Sequence, residues 1–482
     1  MSPKERLVWR YALAFLQAYR PLRYDGIPLA PLLLRHVQRY LNKRTRLLKK
    51  GKLPPDINPK HIQKRCAPFF PKSDPDYSKK GFTLVRAQLY LVSKDQVDES
   101  FLYVAHHRKE YRKMRHKCRP LIYLPAVKEA RIAKQKEQKL WRSWKAVCAS
   151  HRTHPFFRTL TFRKWIKAKI KQTLKKIRKV RTLFNRYPIA RVIYGSTINP
   201  EGSLLATMAQ VQNIPVINIQ HGIFGPLGHL PVNADLNFVW GTSHAQFLQK
   251  YGAPKEKIFI SGPFFYRNLE RKSKLRLCSH RERPLKTVLV ALQPLGYTYN
   301  RTLISCIEKA ASGLSLRVIY KLHPDQGNGQ VYKRLLKRKY SQLVPHGSIP
   351  LPQLFQEAKL VVTPFSSVAY EALLHHIPVY YYGKRKQIYY LQKRPPFFRT
   401  ARQLRPVLAR IVNEPDKALS DDHKLQLLDI NLDGNQDSEP LDPLETIWSV
   451  IQQKKEEAVT SCNVWPSSPP GQDPKVCLEK TS

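Results

Sequence analysis

The sequence predicts an α/β protein with two Rossmann-like domains that face a cleft. Short apolar runs alternate along the chain with amphipathic segments, which is typical of parallel sheets joined by helical crossovers. This alternation is interrupted by a charged, irregular stretch at 266–286 and then begins again, so it divides into two units. With 482 residues, the chain is long enough for two or three domains of ordinary size.

The first unit is predicted at 96–265, after a basic N-terminal region at 1–95 to which the sequence assigns no function. One helix is expected near 28–42 in that N-terminal region. Within the first unit itself, a helix is expected to begin at Asn199, where a proline and an acid follow in the first turn. The strands of the first unit are predicted from apolar runs at 101–105, 120–124, 190–195, 215–219, 238–240 and 257–262.

The second unit is predicted at 280–415 and has the same alternation. Its strands are expected at 287–292, 317–322, 342–344, 360–364 and 378–383. Its helices are expected at 300–312, 330–339, 351–358 and 367–375. The acidic end of the chain, 416–482, has little periodicity and is expected to be largely disordered.

The charge balance is strongly positive. The chain has 85 lysines and arginines against 34 acidic residues, a formal net charge of +51. The segment from Glu414 onward holds 14 of those acidic residues and only 6 of the basic ones, so the rest is more basic still. A field of this sign attracts polyanions, which here means nucleic acid, an anionic membrane surface or a phosphate-rich substrate.

A basic helical insertion is predicted at about 127–186. Between 138 and 200 there are 17 basic residues and no acidic one. One helical face is apolar, with a mean spacing of 3.6 residues: Ile166, Ile170, Leu174, Ile177, Val180 and Phe184. Such a helix can lie on an anionic membrane, or it can pack on the domain with a solvated basic face. The residues predicted to contact a membrane are Trp165, Lys167, Lys169, Lys171, Lys175, Lys176 and Lys179.

The cysteines predict a cytoplasmic location, and the basic amphipathic helix predicts a peripheral position at the inner face of the cell membrane. Seven scattered cysteines form no CxxC pair, which argues against a disulfide framework and against a zinc site. The sequence has no uninterrupted apolar stretch of about 18 residues, so no transmembrane helix is predicted. Arg10 interrupts the first apolar segment, and a signal peptide is not expected.

A histidine follows one of the predicted strands in the first unit. Gln220-His221-Gly222 ends the apolar run at 215–219. The glycine permits a tight turn, which leaves the imidazole exposed. A neutral histidine there is able to accept a proton from an attacking hydroxyl; the alternative is a histidine that only hydrogen-bonds a loop carbonyl.

Polar residues follow two strands of the second unit. Lys321 and His323 end one of them, and together they are suited to bind a diphosphate; the alternative is a strand-terminating turn. Ser366 and Ser367 begin a helix, where hydroxyls and free main-chain N–H groups form an anion site; the alternative is a simple helix cap. Glu371, one turn further, is able to accept hydrogen bonds from ribose hydroxyls. Ligands of open α/β sheets bind beyond the carboxyl ends of the strands, so these residues predict a single site.

The order of QHG, KLHP and TPFSSVAYEALLHHIPVYYYG resembles the two-domain GT-B transferases of bacterial surface-polymer synthesis. The most similar patterns are those of CDP-glycerol glycerophosphotransferases of teichoic acid assembly and of capsule polysaccharide transferases. The resemblance covers about 190–385. It implies that His221 is the acceptor-side base, that His323, Ser366 and Ser367 bind the donor phosphates, and that Glu371 binds the ribose.

Two departures favour a sugar nucleotide over a CDP-polyol donor. The glycerophosphotransferases usually have Trp-His-Gly-Thr where this chain has Gln-His-Gly-Ile, and Asp-Tyr where it has Pro364-Phe365. The single DxD, which begins at Asp74, is far from the motifs, so metal-independent chemistry is expected. No cofactor is expected beyond the nucleotide-activated donor.

The function predicted from the resemblance is transfer of a glycosyl or glycerol-phosphate group to a hydroxyl, with a lipid-linked surface glycan as the expected acceptor. A sugar-nucleotide 2-epimerase is the alternative within the same fold. A basic nucleic-acid-binding protein is the alternative from another class. It is disfavoured because the sequence contains no recognisable nucleic-acid-binding module.

Overall fold

The computed structural model describes residues 1–463 with gaps at 73, 94–95, 98, 225–226, 264–285, 327–328, 376, 384–395 and 414–441. Nearly all of the predicted linker at 266–286 lies outside the described residues. The described chain contains two parallel sheets and a helical layer formed at its N-terminus.

The N-terminal layer contains four helices and a short antiparallel hairpin. Its elements are α1 (Pro3–Tyr19), β1 (Arg23–Tyr24), β2 (Ile27–Pro28), α2 (Leu29–Asn42), α3 (Thr45–Lys50) and α4 (Ile62–Cys66). Ser2 caps α1, because its hydroxyl accepts from the Glu5 amide and the Glu5 carboxylate accepts from the Ser2 amide. Helix α2 confirms the helix that was predicted near 28–42.

The first sheet has the order β5–β4–β3–β6–β7–β8–β9, and all its pairs are parallel. Its strands are β3 (Phe82–Arg86), β4 (Phe101–Ala105), β5 (Leu121–Tyr123), β6 (Ile189–Tyr194), β7 (Val216–Ile219), β8 (Leu236–Val239) and β9 (Ile258–Ile260). Its helices are α5 (Arg108–Met114), α6 (Lys134–Ala149), α7 (Pro155–Arg158), α8 (Leu160–Arg186), α9 (Pro200–Gln210) and α10 (Thr242–Lys250).

The six strands predicted in this unit are confirmed, but β3 was not predicted. It lies within the region 1–95 and is nevertheless an interior strand of the sheet, between β4 and β6, so the sheet of the first unit includes residues before 96. The apolar part of β3 is too short to indicate a strand by itself. It is defined by its pairing with β4 and β6, which are distant in sequence.

The second sheet has the order β12–β11–β10–β13–β14–β15, again with parallel pairs only. Its strands are β10 (Lys286–Ala291), β11 (Leu316–Lys321), β12 (Ser341–Val344), β13 (Ala358–Thr363), β14 (Val379–Tyr382) and β15 (Phe397–Phe398). Its helices are α11 (Tyr297–Ala310), α12 (Gln330–Lys333), α13 (Leu351–Phe355), α14 (Ser367–Leu374) and α15 (Ala401–Asn413). The predicted fold class, two Rossmann-like α/β units, is confirmed.

Helix α12 is much shorter than the helix predicted at 330–339. The buried Glu308 carboxylate accepts hydrogen bonds from the main-chain N–H groups of Lys337 and Arg338, at 2.9 and 3.2 Å. It also accepts from the hydroxyls of Tyr320 and Ser341, at 2.8 and 2.7 Å. The N–H groups of Lys337 and Arg338 are thus bonded to a buried side chain instead of to helical carbonyls, which is consistent with the early end of the helix.

The acidic C-terminal segment contains the helix α16 (Pro443–Asn463), which begins with PLETIWSVIQQ, the stretch of this segment that has hydrophobic periodicity. This helix packs on the first sheet through four buried residues and a hydrogen bond of 2.7 Å from the Trp448 indole to the carbonyl of Val92. The buried residues are Leu444, Ile447, Trp448 and Ile451. None of the helices in the described ranges has an apolar stretch sufficient to cross a membrane.

Candidate active site

The carboxyl ends of the central strands of the first sheet bring several polar side chains to one edge. Arg86 ends β3 and lies level with Tyr194 at the end of β6, as the strand register shows. His106 directly follows β4, and His221 comes two residues after β7. Because parallel neighbours are about 4.8 Å apart, these side chains form one cluster.

His221 has the protonation geometry of a general base. Its Nδ1 is hydrogen-bonded to the main-chain carbonyl of Gly195. A carbonyl oxygen only accepts, so Nδ1 holds the proton and Nε2 of the neutral ring is left with the lone pair. The residue is exposed to solvent, but desolvation by the neighbouring protein atoms lowers the pKa of His221 below its usual value, and the positive charge of Arg86 acts in the same direction.

The glutamine of the Gln-His-Gly motif fixes the loop that carries His221. The buried Gln220 side chain donates to the carbonyl of Gly222 at 2.9 Å and accepts from the main-chain N–H of Trp240 at 2.9 Å. The Trp240 indole N–H also donates to the Gln220 carbonyl, again at 2.9 Å. Both ends of the Gln220 amide are therefore used to hold the turn in one conformation.

A buried ion-pair network lies beside His221 and was not predicted from the sequence. The Arg86 guanidinium is 3.3 Å from the Glu110 carboxylate, and these side chains are 12% and 6% exposed. Glu110 also accepts from the main-chain N–H of His106 at 2.9 Å, and the His106 ring is hydrogen-bonded to the Tyr194 hydroxyl. Burial, with the Arg86 charge, lowers the pKa of His106 to about 3. In the sequence, this network is indicated by Arg86, a charged residue that ends a short apolar run.

We expect Gly195→Ala to lower the turnover rate by about tenfold to hundredfold. A Cβ at this position would lie 3.0 Å from Nδ1 of His221 and 3.1 Å from its Cγ, so the ring must move away from the carbonyl that fixes its tautomer. Misplacement of a reacting group by a fraction of an ångström to 1 Å has effects of this size.

The matched control is Gly222→Ala, because a Cβ there meets no atom within 4 Å. Both variants are to be assayed for turnover at saturating donor and for melting temperature. Equal rates for the two variants would show that contact of His221 with Gly195 does not matter for catalysis.

At the predicted donor site, Lys321 is the last residue of β11 and His323 lies two residues beyond it. Nδ1 of His323 accepts from the main-chain N–H of Asp325 at 3.2 Å, so in the neutral ring Nε2 holds the proton and is available to donate to a phosphate. Lys321 donates to the carbonyls of Pro345 and Ile349, at 2.8 and 2.9 Å, and burial lowers its pKa. Lys321 therefore holds the loop at 345–349 in place, and its binding of donor phosphate stays a prediction.

Ser366, Ser367 and Glu371 lie on or next to α14. Ser366 is the N-cap, and its hydroxyl accepts from the main-chain N–H of Val368 at 3.2 Å. Ser367 is the first residue of the helix, and Glu371 lies one turn further along it. The helix begins just after β13, whose end lies level with that of β11 across β10. The ends of β11 and β13 are thus two strand spacings apart, roughly 10 Å, so His323 and the N-terminus of α14 both follow strands that end at the same edge of the sheet.

A direct contact joins the two halves near these residues. Trp240, which is bonded to Gln220, packs on Tyr370 of α14 with ring centroids 5.1 Å apart. Trp240 and Ile223 belong to a hydrophobic cluster formed otherwise by residues of the second sheet and its helices. The loop of His221 and the helix of Ser367 and Glu371 are thus linked through the contact of Trp240 with Tyr370.

The apolar face of α8 is not available to a membrane. Five of its six predicted residues are at most 1% exposed, and the face packs on α2 and α9 in the core. Insertion of this face into lipid is therefore a wrong prediction, because the protein core has buried it. Trp165 stacks on Tyr40 at 4.2 Å. The predicted membrane lysines on the exposed surface are Lys167, Lys171 and Lys175.

The other three lysines of that prediction form polar contacts within the protein, and the exposed Lys167 lies over the Trp144 ring at 5.4 Å. Lys176 is 2.9 Å from the Glu201 carboxylate, Lys169 donates to Gln172 at 3.0 Å, and Lys179 donates to the carbonyl of Pro125. An electrostatic contact between α8 and an anionic surface stays a prediction, resting on the exposed three.

Comparison with known structures supports the fold. The S. aureus MnaA–UDP co-structure has a TM-score of 0.50 and 11% identity, covering 78% of this chain and 97% of that one. UDP-GlcNAc 2-epimerase from Neisseria meningitidis bound to UDP-GlcNAc has a TM-score of 0.48 and 11% identity, covering 77% and 99%. Anabaena Alr3699/HepE in complex with UDP-glucose has a TM-score of 0.44 and 14% identity, covering 79% and 100%. At such identities the likeness concerns the fold alone.

The sequence comparisons concern the second unit. No curated protein matches this chain. Residues 297–390 match the model of a family described as capsule polysaccharide biosynthesis protein. The matched segment contains Lys321, His323, Ser366, Ser367 and Glu371, whereas His221 lies outside it. The predicted resemblance to surface-polymer enzymes is thus confirmed, and over 297–390 the chain matches the capsule polysaccharide biosynthesis family.

Proposed function

We propose that the protein is a transferase that moves a glycosyl or glycerol-phosphate group from a nucleotide-activated donor to a hydroxyl of a surface glycan. The contact of Trp240 with Tyr370 carries this proposal, because it joins the loop of the candidate base to the helix of the candidate donor site. The capsule-family match over 297–390 supports a polysaccharide product. The bound UDP of the similarly folded MnaA supports a nucleotide donor.

The proposed reaction uses the residues of both units. Nε2 of His221 takes the proton of the acceptor hydroxyl while the hydroxyl oxygen attacks the donor. With a nucleotide-sugar donor, the attack is at the sugar carbon, the bond from that carbon to the phosphate oxygen breaks, and its electron pair leaves with the nucleoside diphosphate. With a CDP-glycerol donor, the attack is at the phosphorus that bears the glycerol, the bond from that phosphorus to the bridging oxygen breaks, and its electron pair leaves with CMP. His323 and the N-terminus of α14 stabilise the departing charge. The proposed acceptor is lipid-linked, which would bring the protein to the inner face of the membrane through exposed lysines of α8.

The donor base is identified by thermal stabilisation with CMP, CDP, UDP, GDP and their sugar or glycerol conjugates. A ligand at about 100 times its Kd stabilises the native state by about 2.7 kcal/mol, which is a clear rise in melting temperature. We expect one nucleotide series to stabilise the protein and the His323→Ala, Ser367→Ala variant to lose this response.

The control variant is His346→Ala, Ser312→Ala, which alters the same residue types at exposed positions of the same unit. It is expected to respond like the wild type. If no nucleotide stabilises the protein while nucleic acid does so strongly at physiological salt, the proposed function is wrong and nucleic-acid binding takes its place.

Product analysis separates the transferase from the 2-epimerase alternative. A 2-epimerase converts a UDP-sugar to its epimer in the absence of any acceptor, and it leaves the nucleotide attached at equilibrium. A transferase releases the nucleotide in proportion to added acceptor. If the epimer forms without acceptor, the protein is a 2-epimerase and not a transferase, although it would use the same nucleotide site.

A further inference from the structure

A pocket of about 520 Å³ lies in the N-terminal helical layer, among α1, the loop after α3, the segment around α4, and the turn between α6 and α7. The permanently charged side chains that line it are Arg10, Lys52, Arg65, Arg152 and Arg158. Its lining, as far as the structure describes it, includes no acidic residue. The volume is within the range of small-molecule sites.

Hydrogen bonds within the protein shape the pocket. His154 accepts at Nδ1 from the main-chain N–H of Phe156 at 3.2 Å, and its Nε2 is 2.8 Å from the carbonyl of Lys52, to which it therefore donates. The Tyr11 hydroxyl donates to the same carbonyl at 3.2 Å. Arg10 donates to the carbonyl of Pro54 at 2.8 Å. The loop after α3 is thus tied to both α1 and the turn before α7 without any ligand.

The positive charge of the pocket is compensated at one end only. Asp56 pairs with Arg6 and lies 3.8 Å from Arg10. In the described part of the chain, no carboxylate forms an ion pair with Lys52, Arg152 or Arg158. Bringing such like charges together costs free energy unless an anion lies between them.

We propose that this pocket binds a phosphate-bearing ligand. Arginine guanidinium groups match phosphate oxygens with paired hydrogen bonds, and Arg65, Arg152 and Arg158 supply them from two sides. Leu13 and Phe69, which also line the pocket, provide an apolar wall for the remainder of the ligand. The limited volume of this half-open pocket favours a single phosphate or diphosphate group over a nucleic-acid duplex. That group is supplied by a soluble diphosphate or by a lipid headgroup.

The test uses two probes with the full-length protein. Inorganic pyrophosphate is titrated calorimetrically, and vesicles of phosphatidylcholine with phosphatidic acid are used in sedimentation. To remove the proposed donor site, both are applied in the His323→Ala, Ser367→Ala background. The pocket variant adds Arg152→Gln and Arg158→Gln. The control adds Arg142→Gln and Lys145→Gln, which are exposed on α6 outside the pocket and remove the same charge.

We expect the pocket variant to bind at least one probe about tenfold or more weakly than the control, because each lost charge-assisted hydrogen bond has an effect of this order. Loss of pyrophosphate binding alone identifies a soluble ligand, and loss of vesicle binding alone identifies a headgroup. Equal binding by pocket and control variants, with unchanged melting temperatures, would overturn the proposal. Because nucleotide binding is not measured, this result is independent of the proposed transferase.

Discussion

Replacing His221 with alanine is expected to lower kcat by about 10²–10⁴-fold, the usual contribution of a general base. The donor should bind as in the wild type, because the donor-side residues belong to the other unit. Rates are to be measured at saturating donor and acceptor, with nucleotide affinity measured in parallel. His116→Ala, an exposed histidine of the same unit, is the control and should retain full activity. Full activity of the His221 variant would show that another group takes the proton.

The pH dependence of kcat/KM is a second test of His221 as the general base. Desolvation by neighbouring protein atoms lowers the pKa of His221, and the Arg86 charge contributes to this. The neutral ring therefore persists below about pH 6.5, the usual pKa of a free histidine. We expect kcat/KM to be constant near neutrality and to fall only when the pH drops through this lowered pKa. An acid limb well above that value would exclude His221 as its origin.

Replacing Arg86 with methionine is expected to destabilise the protein by about 3–5 kcal/mol, the cost of leaving one charge of a buried pair without its partner. Glu110 would be that charge, since its side chain is only 6% exposed. The free energy of unfolding is to be measured by denaturant titration at neutral pH. Arg112→Met, on the exposed face of α5, is the control and should change stability little.

Replacing Arg86 should also change the pH profile of kcat/KM. Removing the positive charge of Arg86 removes one of the causes that lower the pKa of His221. The acid limb of kcat/KM should therefore move to higher pH in Arg86→Met, while Arg86→Lys should keep it close to the wild-type position. If the acid limb of kcat/KM is unchanged in Arg86→Met, Arg86 does not influence the catalytic base and has a structural role only.

The sequence was sufficient for the elements that local pattern defines. Buried parallel strands are runs of apolar residues whatever their neighbours are, so the strands from β4 to β14 were predicted with small errors at their ends. The motif residues were located correctly at the strand ends because an apolar run followed by histidine or serine marks such an end.

The elements that the sequence alone did not define depend on contacts between distant residues. Strand β3 and helix α16 have weak local patterns, and both are fixed by packing on the first sheet. Periodicity showed that α8 has an apolar face, but not whether lipid or protein would cover it. The N-terminal helices cover it, which is why the membrane interpretation of that face is wrong.

The sequence by itself therefore determined the fold class, the order of strands along the chain and the residues at their ends. Tertiary structure alone decided that Arg86, Glu110 and His106 surround the loop of His221, that Trp240 meets Tyr370, and that distant arginines line a common pocket. The physical reason is that apolar periodicity records burial, which is a local property of a residue. Ion pairs, aromatic contacts and pockets are properties of residues that only the folded chain brings together.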